Sequence, residues 1–358
     1  MFQKNIFHWY RSYIIILFLF VFFIKFSTDN LYANDYKVKN LEISEPYEIN
    51  FNKKNIIERA FVLAFKELIT KITISDENFN LYKADLKVVK SLIESFSIID
   101  EKFIDNKYFA KFDVNFNKKE VRDFLEKNNI FPSIPKEKIL FVMPILIDSQ
   151  ENELFLFSEN PFYLDWNKKN EKHYLLKYIV PNEDIEDINI IKKNINNIEE
   201  YNFNEIISKY DLEDYIIIIL FKNNDKLKTL SKINFNNNLF ISNQVFSGVN
   251  FDEKDSLTKI IKKLKKSYED RWKKINQINT SIKLQLTLSI DSKNYKLIQK
   301  FEKKILNLDL VSHYYIDYFS NENTIYKIIY NSTPKKFIQE IENTGIKLDT
   351  SSKIWSIK

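Results

Sequence analysis

The chain has 358 residues, of which 44% are hydrophobic and 15% aromatic, enough for two or three ordinary domains and too apolar for wholesale disorder. Its net charge of +5 comes from 54 basic and 49 acidic side chains spread along the sequence, without the arginine-containing basic stripe of a nucleic-acid surface. With no cysteine, three histidines and two glycines, the composition excludes disulfides, Cys-based zinc sites and glycine-rich phosphate loops. We therefore expect no cofactor, no metal and no nucleic-acid partner.

Residues 1–33 are predicted to form a signal peptide or an N-terminal membrane anchor. The apolar run YIIILFLFVFFI at 13–24 is flanked by basic residues. It is shorter than the roughly 20 residues of a spanning helix and fits the about 7–15 residues of a signal-peptide core. A candidate cleavage site lies between Ala33 and Asn34. Leu31, at the third residue before the cut, is larger than the small residue usual there. Both outcomes predict an exported, periplasmic chain, anchored in the inner membrane only if the segment is uncleaved.

Residues 34–135 are predicted to form an α+β domain. The segment DYKVKNLEIS is strand-like, and KKNIIERAFVLAFKELITKIT is the strongest helix because its apolar residues recur at intervals of three and four. A second helix is predicted around LKVVKSLIESF, followed by a hairpin turning at DNK and a helix in NKKEVRDFLEKNN. The proline-containing IFPSIPKEK predicts the linker to the next domain.

Residues 136–278 are predicted to form a central α/β domain. KILFVMPILI is a continuous apolar run, as expected of a strand buried on both faces. YNFNEIISKYDLEDYIIIILFK indicates a helix followed by a second such strand, and a hairpin across NNN precedes the amphipathic helix EKDSLTKIIKKLKKSYEDRWKKI. This order resembles the small domain that begins the Tol-system propeller protein, a likeness of fold alone.

The stretch ENPFYLDWN at 159–167, within this domain, has two interpretations. As a ligand site, its aromatics would stack on a sugar beside two carboxylates, as in glycosidases. As a structural element, its proline starts a turn, and Phe162, Leu164 and Trp166 pack against the core. This is the interpretation we favour, with contact to a partner as the functional alternative. The residues predicted to form this interaction or structural loop are Asn160, Pro161, Phe162 and Trp166.

Three other features carry a functional and a structural interpretation. The acidic segment 183–187 could bind a hard cation, but acidic residues also favour the first turn of a helix, and we favour the helix start. The basic helix KIIKKLKKSYEDRWKK could touch anionic lipid, and we favour a solvated face. His313 lies in an alternating strand, which favours a packed or surface side chain.

Residues 279–358 predict the order βαββαβ of a ferredoxin-like domain. NYKLIQKFEKKILNL and TPKKFIQEIENTG are the helices, and VSHYYIDYF with TIYKIIYN forms a hairpin turning at SNEN. The first strand, SIKLQLTLSI, alternates strictly. Its predicted core face comprises Ile282, Leu284, Leu286, Leu288 and Ile290.

The chain resembles domain-of-unknown-function family 2066, secreted envelope proteins of Gram-negative bacteria. The segments RAFVLAFKELITKIT, SIIDEKF, AKFDVNFN, KKEVRDFLEKNNI and KILFVMPILID carry the resemblance. Ile69-Thr70 and Phe112-Asp113 stand at the family's Leu-Thr and Phe-Asp pairs, and ENPFYLDWN, YIVPNEDIEDINII and SKYDLEDYIIII follow in the expected order. The family's glycine after the threonine and its G-x-P-x-W motif are absent. The resemblance implies location and architecture and brings no catalytic residue.

These patterns together predict a non-enzymatic envelope protein that acts as an interaction or assembly module and binds another envelope protein. The alternative is a periplasmic hydrolase or carbohydrate-binding protein that uses residues 159–167 together with 183–187. That alternative requires the two segments to meet in one pocket with Trp166 accessible to the ligand.

Overall fold

The computed structural model describes residues 36–49, 51–168 and 174–358, and the predicted signal segment with Ala33 and Asn34 lies outside them. The described residues form a mixed α+β fold with three β-sheets. Each sheet takes its strands from one continuous part of the chain, and hairpins or segments of one or more helices connect its strands.

The first sheet is antiparallel, with the order β1-β3-β2. Its strands and helices are β1 (Lys37–Pro46), β2 (Ile93–Ile104), β3 (Lys107–Phe116), α1 (Lys53–Ile72), α2 (Asn78–Leu81), α3 (Leu86–Leu92) and α4 (Lys118–Lys127). Asp105 and Asn106 adopt positive φ in the predicted DNK hairpin turn, a conformation that short polar side chains tolerate. The second predicted helix extended too far: from Ile93 onward the chain pairs with β3 instead of continuing α3.

The second sheet has the order β5-β4-β7-β8-β9, and β6 also pairs with β4. Its strands and helices are β4 (Lys138–Asp148), β5 (Glu153–Phe155), β6 (Leu176–Ile179), β7 (Tyr215–Asn223), β8 (Lys226–Phe235), β9 (Asn238–Phe246), α5 (Pro161–Asp165), α6 (Ile185–Lys193), α7 (Asn204–Ile207) and α8 (Lys254–Ile275). Residues 140–148 of β4 are all buried, which confirms the predicted strand with two covered faces. The helix predicted before β7 is only α7, followed by a short 3-10 turn.

The third sheet has the order β11-β12-β10-β14-β13. Its strands and helices are β10 (Leu284–Asp291), β11 (Val311–Phe319), β12 (Asn323–Tyr330), β13 (Leu348–Asp349), β14 (Trp355–Ile357), α9 (Tyr295–Ile305) and α10 (Pro334–Asn343). In the predicted ferredoxin-like order the last strand runs antiparallel to the first, but β14 is parallel to β10. Residues 350–354 reverse the chain between β13 and β14. Ile282 is exposed and precedes β10, because pairing with β12 begins only at Leu284.

Residues 36–358 form one compact unit, in which hydrogen bonds join the parts that carry the three sheets. In the segment predicted as a linker, the Ser133 amide donates to the Ile72 carbonyl oxygen (2.6 Å) and the Ile134 amide donates to that of Asn276 (2.9 Å). The Arg122 guanidinium of α4 donates to the Val311 carbonyl oxygen (3.0 Å). Hydrogen bonds therefore hold the predicted linker to the end of α1 and to the residue after α8. The predicted domain boundaries stay predictions.

Candidate functional site

The loop at 159–167 begins with a side chain that organises the backbone. Asn160 is the N-cap of α5: its Oδ1 accepts a hydrogen bond from the Phe162 amide (3.0 Å), and its Nδ2 donates to the Pro144 carbonyl oxygen of β4 (3.0 Å). Pro161 occupies the first turn of α5, where a missing amide proton costs nothing. Asn160 is fully buried, so it ties the loop to β4 of the second sheet.

Two aromatic residues of this loop, Phe162 and Trp166, lie in the core, whereas Leu164, which was predicted to pack there, is exposed. Phe162 and Trp166 both have an exposed fraction of 0% and belong to the apolar cluster between the second sheet and α8. The Trp166 ring lies edge-on to Tyr178, with ring centroids 5.7 Å apart. Since no face of the indole reaches solvent, Trp166 has no surface on which a sugar could stack.

A buried lysine of α8 completes the surroundings of Trp166. The Lys265 ammonium lies 5.5 Å from the Trp166 ring centroid and 5.1 Å from that of Tyr178, and it donates to the Trp166 carbonyl oxygen. Burial lowers the pKa of Lys265 to about 8, against the opposing effect of Glu269. The Glu269 carboxylate in turn accepts from the Leu176 amide (2.7 Å). Charged groups thus lock α8 onto the loop and onto β6, where aromatic faces and backbone groups replace water.

The acidic segment at 183–187 begins a helix. Asp184 is the N-cap of α6 and accepts from the Glu186 amide (2.7 Å), and the Lys209 ammonium donates to Asp184 (2.9 Å) and to Asp187 (2.7 Å). The hydrogen bonds to Asp187 and Asp184 raise the pKa of Lys209. The hydrogen bond between Lys209 and Asp184 is also the main cause of the lowered pKa of Asp184. Among the described residues, no group of three or more potential metal ligands is placed to hold an ion.

The two segments of the alternative function lie near each other, and the hydrogen bonds between them involve residues just outside their bounds, Ser158 and Pro181. The Ser158 hydroxyl donates to Glu183 (3.0 Å), and the Tyr163 hydroxyl donates to the Pro181 carbonyl oxygen (2.6 Å). This contact joins α5 to the turn before α6, while Trp166 stays buried on the other side of the loop. The proximity of the segments therefore has a structural explanation and provides no aromatic platform beside the carboxylates.

The basic helix α8 has one face in the core and lysines on the other. Its Asp270 carboxylate accepts from both the amide (2.9 Å) and the hydroxyl (2.8 Å) of Ser75, beyond α1, and its Trp272 indole donates to the Lys136 carbonyl oxygen (2.7 Å). These contacts make α8 a connection between the first and second sheets. Over the residues that the structure describes, no helix is long and apolar enough to cross a membrane.

His313 lies on β11, half-buried, with its ring stacked on Tyr315 at 6.5 Å between centroids. Burial is the largest cause of its lowered pKa. The other two histidines, His8 and His173, lie outside the described residues. Among the described residues, the Ser312 hydroxyl lies within hydrogen-bonding distance of the His313 Nδ1 (3.4 Å), and Asp123 acts on the ring only through its charge, which opposes the lowering of the pKa.

Sequence reasoning missed a group of exposed apolar side chains on β11, which is an edge strand of the third sheet. Their exposed fractions lie between 44% and 65%. We name this group the β11 surface; it comprises Tyr315, Ile316, Tyr318 and Phe319. The run HYYIDYF has aromatic or aliphatic residues at consecutive positions, so both faces of the strand are apolar, and this was the available signal.

Comparison with known proteins gives no family for this chain. No family model matches the sequence, and no curated protein matches it either. The resemblance to family 2066 therefore stays a prediction that rests on the short motifs described above.

Proposed function

We propose that this protein is a non-enzymatic envelope protein that acts as an interaction or assembly module and binds another envelope protein through the β11 surface. The observation that carries the proposal is the exposure of four large apolar side chains, two of them tyrosines, on one edge strand. Tyr315 and Tyr318 share one face of the strand, since their partners on β12 are Lys327 and Ile325, and exposed apolar side chains that cluster on one surface commonly mark an interaction site. Tyrosine is also enriched among the residues that contribute most to binding energy.

The edge position of β11 supports the same proposal. An edge strand leaves backbone amide and carbonyl groups free on one side, to which an extended segment of a partner can add. β11 pairs only with β12 in the described structure, and its register shifts twice along that pair. Such irregularities weaken continuous strand addition, so we expect side-chain contacts of Tyr315 and Tyr318 to contribute more than backbone pairing.

The finer architecture is part of this proposal. We propose three modules, at 34–135, 136–278 and 279–358, following a signal peptide or anchor at 1–33. The strand order β14-β10-β12-β11 supports a variant of the ferredoxin-like arrangement for the last module. In the second sheet, β4 pairs in parallel with both β6 and β7, and this parallel pairing supports an α/β middle module.

The test is affinity capture from an envelope extract of the native host after mild crosslinking. The full chain is compared with the double variant Tyr315→Ser/Tyr318→Ser and with the control Tyr295→Ser, which removes a more exposed tyrosine from α9. We expect the wild type and the control to recover the same partner, and the double variant to bind the purified partner at least about tenfold more weakly.

Two results would contradict the proposal. One is recovery of no specific partner by the wild type. The other is a double variant that keeps its thermal unfolding midpoint and binds as tightly as the control. Mass spectrometry of the mature N-terminus tests the export part separately: a chain that begins at Asn34 indicates cleavage, and one that begins at Met1 indicates an anchor.

A further inference from the structure

Strand β9 is an edge strand without the usual protection against pairing. Within the described residues it pairs on one side only, with β8. The β8–β9 register runs from Leu227↔Phe246 to Phe235↔Asn238 without a shift, whereas β1, β2 and β11 each have at least one irregularity in their pairing. Bulges, prolines and charged residues are the common means by which natural edge strands avoid pairing with another chain. β9 (NLFISNQVF) has no proline, no charge and no bulge.

The absence of charge extends beyond the strand. Residues 233–251 contain no Asp, Glu, Lys or Arg, and this is the longest uncharged stretch of a chain in which 29% of residues are charged. It covers the end of β8, the Asn236–Asn237 turn, all of β9 and the residues that follow to Phe251. If two copies met edge to edge, no residue of this stretch would therefore place like charges next to each other.

The two faces of β9 differ. Phe240 and Phe246 point to the side of α8, where Arg271 and Lys263 lie over their rings at 4.9 Å and 5.8 Å from the centroids. On the opposite face stand three aliphatic side chains with exposed fractions between 60% and 64%. These side chains are Leu239, Ile241 and Val245.

We propose that β9 pairs with β9 of a second copy of this chain, antiparallel about a two-fold axis at Ser242, and joins two central sheets into one. Full overlap of the two nine-residue strands sets this register. It places Leu239 of each copy against Val245 of the other on the aliphatic face, a pairing that stabilises antiparallel strands. An interface of this kind must be complementary to itself, and an uncharged strand with aliphatic residues at both ends meets that condition.

The proposal concerns a different strand from the β11 surface and a second copy in place of another protein. It can therefore hold whether or not the proposed function does. Because the axis is perpendicular to the sheet, the α8 helices of both copies lie on the same side, with Lys263 and Arg271 near the shared edge. Raising the NaCl concentration screens their repulsion, so we expect association to become tighter; weaker association at high salt would contradict the arrangement.

A single cysteine tests the position of the axis. The chain has no cysteine of its own, and the two-fold places Ser242 opposite its counterpart. Directly opposed residues of antiparallel strands have Cα atoms about 4.5–5.5 Å apart, within the roughly 4.4–6.8 Å that a disulfide spans. We expect full-length Ser242→Cys to form a disulfide-linked dimer under mild oxidation, and the exposed control Ser281→Cys to stay monomeric. Equal crosslinking of both variants, or none of Ser242→Cys, would overturn the proposal.

Sedimentation velocity over a concentration series tests the association itself. We expect the wild type and Leu306→Lys, a control at a similarly exposed leucine after α9, to dimerise alike. Val245→Lys should raise the dissociation constant at least about tenfold. An equimolar mixture of Val245→Lys and Leu239→Glu should recover dimers, because the register opposes the two new charges.

Circular dichroism spectra that match the wild type establish that the variants fold, which the exposure of these positions leads us to expect. A wild type that stays monomeric at the highest concentration reached refutes the proposal, whatever other protein binds the strand. A Val245→Lys chain that dimerises as tightly as Leu306→Lys refutes it as well.

Discussion

Replacing Trp166 distinguishes a structural loop at 159–167 from a ligand site. If the indole were a binding platform, Trp166→Ala would abolish binding and leave the free energy of unfolding nearly unchanged. In the structure the side chain has an exposed fraction of 0% and lies among Phe162, Tyr178 and Tyr268. We therefore expect Trp166→Ala to act on stability.

The magnitude follows from the area that the ring buries. A buried aromatic side chain removes roughly 150–250 Å² from water, and at about 25 cal/mol per Å² this amounts to about 4–6 kcal/mol as an upper bound. Large-to-small replacements of buried Trp typically cost about 3–5 kcal/mol, and we expect Trp166→Ala to fall there. Trp166→Phe should cost less, about 1–2 kcal/mol, because the indole Nε1 has no hydrogen-bond partner in the described structure that would be lost.

The assay is urea unfolding monitored by far-ultraviolet circular dichroism, which reports on the backbone and does not depend on tryptophan fluorescence. Leu164→Ala is the matched control: it lies in the same short helix but is 48% exposed, so its effect should stay within about 0.5 kcal/mol. A Trp166→Ala chain as stable as Leu164→Ala would refute the reasoning, since it would mean that the indole contributes nothing to the core.

Three further changes have defined outcomes. Asn160→Ala removes the cap of α5 and the bond to the β4 carbonyl, and should lower the free energy of unfolding by about 1–3 kcal/mol in urea; no loss would contradict the tie. Lys209→Gln should cost about 1–3 kcal/mol at neutral pH, because the buried Asp187 loses its cation. The folded-state pKa of Asp184 lies below its ordinary 3.8, so its stabilisation is present above that value and lost as the pH falls through the lowered pKa. Acid titration of stability should therefore be steeper for the wild type than for Lys209→Gln; parallel curves would refute the coupling. Arg122→Met removes the guanidinium bonds to the carbonyls before and at the start of β11, and a loss of about 2–3 kcal/mol in thermal or urea unfolding is expected, against none if these bonds are replaced by water.

Local chemistry made several elements predictable. The hairpin across NNN has positive φ at Asn236 and Asn237, which asparagine tolerates better than most residues. Thr333 caps α10 and Pro334 follows it in the first turn, the residue types that these positions favour. The acidic residues at 183–187 lie at the start of α6, because a first turn favours negative charge. Each of these depends on a few neighbouring residues and on no distant partner.

The alternation of apolar and polar residues predicted the ends of strands less accurately, because backbone pairing decides where a strand begins. Ile282 fits the alternating apolar pattern of β10, yet the strand begins two residues later, where β12 provides its first partner. The segment IESF continues the helical pattern of α3 but pairs with β3. A strand needs a neighbour for its backbone hydrogen bonds, and the position of that neighbour is a property of the whole sheet.

The sequence by itself determined the turns, the caps, the buried run of β4 and the absence of cysteine chemistry. Only the tertiary structure decided that Trp166 is enclosed by Lys265 from α8, that Lys209 donates to both Asp184 and Asp187, and that β9 and β11 are edges. The physical reason is range. Turn and cap energies arise within about one helical turn of the chain, whereas burial, charge pairing and edge position depend on which distant segments pack together.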